Sequence, residues 1–201
     1  MYNIDKLAYR CLIASICFLF AFSAGPAKGQ NVALKTNVLY DATATVNAGV
    51  EFSVAPKWTM DISGNYNGWN FSDNRKGKHW LVQPEIRWWF CNKFMRSFLG
   101  FHLLGAQYNV GNLPTDFKAF GKDFSALKTY RYQGWLAGAG IGYGYDWALS
   151  KHFNIEFELG MGVIYTEYEK FDCPQCGKKV GENQKFMVAP TKAALSLVYL
   201  F

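Results

Sequence analysis

The chain has 201 residues, 18% of them aromatic, with 19 glycines and a formal net charge of +6. That length suits one domain, and the charge excess is too small to argue for a nucleic-acid partner. Beyond the first thirty residues no stretch approaches the roughly 18 apolar residues of a membrane-spanning helix.

Residues 1–29 read as a secretory signal peptide. Met1 to Arg10 carries Lys6 and Arg10, an apolar run follows from Cys11 to Phe22, and Ser23, Ala24, Gly25 and Pro26 close it. Ala27-Lys28-Gly29 places the mature start at Gln30, with cleavage after Ala24 as the alternative. Neither Cys11 nor Cys17 follows a small residue, so a lipid anchor is not expected. Removing Lys6, Arg10, Lys28 and Asp5 lowers the formal charge to +4.

Residues 30–201 then show period-two alternation, the mark of strands with two unlike faces. Residues 32–40 supply a first strand. Val46 to Val54 follows, with Asn47, Gly49, Glu51 and Ser53 on the polar side. Trp58, Met60, Ile62, Gly64 and Tyr66 alternate with Thr59, Asp61, Ser63, Asn65 and Asn67. Trp80, Val82, Pro84, Ile86, Trp88 and Phe90 alternate with Gln83, Glu85 and Arg87. Residues 98–110 carry apolar side chains on both faces. Trp135 to Tyr145 keeps its large residues at odd positions, opposite a ladder of Gly134, Gly138, Gly140, Gly142 and Gly144. Phe153 to Tyr165 places seven apolar residues on one face, and residues 189–201 end in Leu195, Leu197, Tyr199 and Phe201.

Eight strands joined alternately by short and long connections predict an all-β fold, an eight-stranded antiparallel up-and-down transmembrane β-barrel in the bacterial outer membrane. The long connections are expected near 69–78, 111–130 and 169–187. Aromatics at the strand ends fit the two interfaces of such a belt. A soluble lipocalin-like barrel or β-sandwich is the alternative, in which the same aromatics form a core.

With the apolar set outward, Lys35, Glu51, Asp61, Glu85, Arg87, Glu156 and Glu158 point inward. Isolated charges there are costly, so an ion-pair network filling the lumen is expected. Leu195, Leu197, Tyr199 and Phe201 resemble the signal read by the barrel-insertion machinery, a partner during assembly. Basic side chains in the long connections, among them Arg75, Lys76, Lys118, Lys122, Lys170 and Lys179, form an expected rim toward lipopolysaccharide or another surface partner.

Cys173 and Cys176, in Cys-Pro-Gln-Cys, have the spacing of half a zinc knuckle, but a second pair is missing. A local disulfide or two idle thiols is the first reading. Metal binding completed by His79 or a second molecule, and thioredoxin-like chemistry, are the others. His102 lies mid-strand, and its ordinary role is a lumen residue bonded to a carboxylate. A hydrolase would require a nucleophile beside it. No cofactor, no metal and no catalytic residue is expected.

The segments ALKTNVLYDATATVNAGVEF (33–52), WTMDISGNYN (58–67), HWLVQPEIRWWFC (79–91), GAQYNVG (105–111) and PTKAALSLVYLF (190–201) resemble a group of uncharacterised outer-membrane β-barrel proteins of Bacteroidales. The resemblance implies an outer-membrane location and, through gene neighbourhood, a link with fimbrial or adhesin assembly. It carries over no catalytic residue. The function expected is structural or in surface interaction, with external loops contacting lipopolysaccharide, glycan or a fimbrial or adhesin partner. An outer-membrane enzyme acting on lipid or glycan, and a narrow pore, are the alternatives.

Overall fold

A computed structural model describes residues 31–69, 76–112, 118–119, 122–123, 130–172 and 177–201, with scattered helical residues at 6, 9–11 and 13. Its elements are β1 (Val32–Asn37), α1 (Val38–Ala42), β2 (Val46–Ala55), β3 (Trp58–Asn67), β4 (Lys76–Trp89), β5 (Arg96–Gly111), β6 (Lys118–Ala119), β7 (Lys122–Asp123), β8 (Tyr130–Ala148), β9 (Phe153–Asp172) and β10 (Lys179–Leu200). Eight of the strands pair antiparallel in the cyclic order β1-β10-β9-β8-β5-β4-β3-β2, and β2 returns to β1, so the hydrogen-bonded ring closes.

Period-two alternation gives the ring two unlike faces. Val50, Ile62, Ile86, Phe101, Ile141 and Leu159 point outward and are 41–62% exposed, whereas Glu51, Asp61, Glu85, Arg87 and Glu158 are at most 2% exposed. Contiguous apolar surface of this kind is covered in a working molecule. The interior is layered. Near the turn from β4 to β5, Ala33, Trp89, Phe94, Phe98, Val198 and Leu200 form an apolar plug. Phe94 takes a left-handed φ of 58°, a cost for a bulky residue, and its ring lies 6.0 Å from that of Trp89.

The structure corrects the expected fold. The domain is all-β, with eight antiparallel strands in a hydrogen-bonded ring and one short helix, but it is not a uniform cylinder of eight crossing strands. β1 stops at Asn37, and α1 replaces the rest of the expected strand 32–40. The Asn37 side chain accepts from the Leu39 amide, and buried Asp41 accepts from Thr36 and from Asn47 at 3.0 and 2.9 Å. These bonds reward a helical turn over further pairing. With six residues, β1 is shorter than the 9–11 that a tilted membrane-crossing strand needs. Only residues 196–200 of β10 meet β1, whereas β8, β9 and β10 run for 19, 20 and 22 residues. The molecule is therefore a closed ring at one end that rises on one side into a taller curved sheet.

The transmembrane description and the outer-membrane placement rested on a uniform belt of eight crossing strands, and neither is retained. The described helices include none long and apolar enough to cross a membrane. A separate two-stranded sheet, β6 with β7, lies in the expected 111–130 connection. The expected 169–187 loop is mostly ladder, since β9 continues to Asp172 and Lys179 already pairs with Phe171.

Candidate functional site

β1, β2, β3, β4 and β9 bring together all seven charged residues expected in the interior. Their alternation places one or two per strand at the same height, just above the apolar plug. Arg87 is the centre. Its guanidinium donates to Glu85 at 2.5 Å, to Glu51 at 2.8 Å, and to Glu156 and Glu158 at 2.7 Å each. Its planar face covers the Phe98 ring, with 4.4 Å from Cζ to the centroid. A guanidinium offers five N–H donors in a rigid fork, which suits one cation shared among several carboxylates. Lys35 bridges Glu51 and Glu156, the latter at 2.8 Å, and Asp61 lies 3.8 Å from both Lys35 and Arg87.

Lys192 was not identified as an interior cation from the sequence. Its Nζ lies 2.7 Å from Glu85 and 3.1 Å from Glu158. The phase of the final strand, with Leu195 outward and Ser196 inward, places even numbers inside, but a register shift between Pro190 and Lys192 obscures it. α1 lies over this layer. Burial pushes the Tyr40 phenol above its ordinary range, opposed by the Lys192 charge.

His102 also belongs to this layer. It is 2% exposed, its Nε2 lies 2.7 Å from Thr191 Oγ1, and its Nδ1 lies 3.4 Å from Glu85 Oε2. Four glycines supply the space. A Cβ at Gly100 would meet the Glu85 carboxyl at 2.7 Å, one at Gly140 would meet His102 Nε2 at 2.6 Å, one at Gly142 would meet Glu158 Oε1 at 2.7 Å, and one at Gly160 would meet His102 Cε1 at 2.8 Å.

At the tall end the wall strands enclose a cup of about 530 Å³. Aromatic residues of its lining include Tyr66, Tyr108 and Tyr168, and polar ones include Asn67, His79 and Glu169. Tyr108 shares a hydrogen bond of 2.9 Å with Thr166, and the Tyr168 ring meets Tyr132 edge-on at 5.6 Å. At the rim, Lys179 donates to Glu169 and Glu182 at 2.6 and 2.8 Å, and these bonds hold its ammonium pKa above the ordinary value.

Leu195, Leu197, Tyr199 and Phe201 share the face opposite the inward Val198 and Leu200; Leu195 is exposed and Leu197 partly so, and Tyr199 is 8% exposed because it packs on Leu34 and edge-on to Phe153 and Phe201. The Phe201 amide donates to Val32 at 3.0 Å. Cys173 and Cys176 lie outside the described residues, and Cys91 is an exposed free thiol.

A family described as "Protein of unknown function (DUF3575)" matches residues 13–201. The chain belongs to the DUF3575 family. No curated protein and no solved structure matches it. DUF3575 membership carries no taxonomic or gene-neighbourhood content, so the Bacteroidales assignment and the fimbrial or adhesin link are not retained. The expected role, surface contacts made by long external loops, is corrected as well. What this DUF3575 chain presents is a closed, heavily cross-linked β-domain whose cup is built from strands, with basic Lys170, Lys179 and Lys185 on the β9–β10 ladder.

Proposed function

We propose that the chain is a binding protein whose strand-built cup holds a polar, ring-bearing ligand of the saccharide class without transforming it. The observation that carries this reading is the cavity of about 530 Å³ at the tall end, where aromatic rings and amide or carboxylate groups converge. That volume falls within the range of small-molecule sites, and sites of this kind combine apolar walls with a few fixed polar groups. Tyrosine rings offer flat apolar faces with a polar tip, which match the C–H face and hydroxyls of a sugar. Asn67 and Glu169 supply acceptors for those hydroxyls.

A hydrolytic reading has one structural point in its favour. Thr191, His102 and Glu85 lie in a hydroxyl, imidazole, carboxylate line. The line is nevertheless buried, Lys192 and Arg87 already occupy the carboxylate, and neither described cavity is lined by Thr191 or His102. A nucleophile needs a place for its substrate, and the cup offers a place in which, among the described residues, no nucleophile and base are paired. Saccharide binding is therefore the better reading.

The test is a glycan array with the purified protein, followed by calorimetry on the best saccharide. Tyr168→Ala is expected to weaken binding at least tenfold, about 1.4 kcal/mol, with the fold unchanged by circular dichroism. No saccharide bound on the array, or affinity unaltered in Tyr168→Ala, defeats the proposal.

A further inference from the structure

We propose that Glu85, His102 and Glu158 hold one divalent first-row metal ion, of the zinc kind, inside the ring. The three residues come from the paired strands β4 and β5 and from β9, which β8 separates from β5, and each offers a ligand atom within 4.8 Å of the others. One imidazole and two carboxylates make a donor set that suits zinc. The site is separate from the cup and independent of what the cup binds.

Two observations point to a missing cation at this place. His102 Nδ1 and Glu158 Oε1 are buried side-chain atoms without a hydrogen-bond partner. Buried polar atoms in native proteins are nearly always satisfied, and here both belong to the same cluster. The other ring nitrogen of His102 is engaged with Thr191 Oγ1 at 2.7 Å. When Nε2–H donates to that hydroxyl, the tautomer is fixed and the Nδ1 lone pair faces Glu85 Oε2 at 3.4 Å. In that tautomer two electron-rich atoms face each other at that separation, and a proton on Nδ1 or a cation between them relieves the repulsion. A metal-binding histidine is usually held by donating its far N–H to a carboxylate, a carbonyl or a water, and the Thr191 hydroxyl stands in that place here.

The charge balance agrees. Among the described residues of this layer, Glu51, Asp61, Glu85, Glu156 and Glu158 face the cations Lys35, Arg87 and Lys192 and the His102 imidazole. With all five carboxyls ionised and the imidazole neutral, two negative charges are left over in a space with almost no solvent, and one divalent ion neutralises them. Lys192 is the group the ion displaces. It bonds Glu85 and Glu158 now, and Asp61 Oδ2 waits 3.8 Å from its Nζ. Lys192, Arg87 and Asp61 also line a water-sized cavity of about 30 Å³, which gives the Lys192 side chain room to turn toward Asp61. The glycines at 100, 140, 142 and 160 keep the three ligand side chains free of methyl groups that would crowd them.

The experiment uses the full-length purified protein, stripped with a chelator, reloaded with Zn²⁺ and desalted. Metal content is read by plasma mass spectrometry and the ligand shell by zinc X-ray absorption. One zinc per chain with only nitrogen and oxygen neighbours is expected, in wild type and in Cys173→Ser/Cys176→Ser alike. Thr191→Ala is expected to lower zinc affinity about 10–100-fold through the loosened imidazole, and His102→Gln to lose the ion. Overturning results are no stoichiometric zinc in wild type, sulfur in the shell, or undiminished zinc in His102→Gln. The absorption measurement needs no variant, so it decides the matter even if His102→Gln does not fold.

Discussion

Replacing Arg87 by methionine removes the one cation that touches four carboxylates, at 2.5–2.8 Å from Glu51, Glu85, Glu156 and Glu158. Breaking a buried ion pair by deleting one partner costs about 3–5 kcal/mol. The cost does not multiply by four, because Lys35 still reaches Glu51 and Glu156, and Lys192 still reaches Glu85 and Glu158. It is therefore a loss of about 3–5 kcal/mol, set against a typical domain stability of about 5–15 kcal/mol. Urea unfolding followed by tryptophan emission reads this well, since Trp89 is fully buried and its ring lies 4.7 Å from that of Phe98. With a urea slope of about 1–3 kcal/mol per molar, the midpoint should fall by about 2 M. Adding Glu156→Gln removes one of the stranded charges, so the double variant should recover at least about 1 kcal/mol. A midpoint within about 0.5 M of wild type for Arg87→Met would show that the interior charges are not held by this residue.

The other variants test how the layer is framed. Gly144→Ala places a methyl group against the Phe98 ring, which lies under Arg87, and a destabilisation of about 1–3 kcal/mol is expected from overpacking, read from the same urea transition. Asn37→Ala removes the cap of α1 together with bonds to Ala193 and Leu195. A loss of about 1 kcal/mol is expected, and a neutral result in urea unfolding would mean that the α1 corner contributes no stability.

The parts of the fold legible in the sequence are those where the two faces of a strand differ in polarity. At the level of the ring, Glu85 and Arg87 alternate with Pro84, Ile86 and Trp88, so inside and outside can be told apart from spacing alone. Higher up both faces turn polar, as in Thr166-Glu167-Tyr168-Glu169-Lys170. The alternation fades there, although pairing continues to Asp172, and the expected loop is a ladder for that reason.

α1 escaped notice because Val38, Leu39 and Tyr40 have strand-forming side chains. The bonds that turn them into a helix come from Asn37, Thr36 and Asn47, and the residues of one face of a strand carry no sign of such a contest. Of the candidate sites, the seven interior charges could be listed from parity. The partnership of His102 with Thr191 joins positions 89 residues apart in sequence, and the cup draws on six strands. Neither leaves a local pattern to read.

The ring closes at the short seam where Ala33 to Asn37 pair with Leu200 to Ser196. Backbone amide hydrogen exchange, resolved residue by residue, tests that seam directly. A closed ring predicts that the amides of 33–37 and 196–200 exchange as slowly as the long ladder of β5 with β8, through global unfolding. Exchange within seconds at the seam, with the β5–β8 ladder still protected, would show two open edges and contradict it.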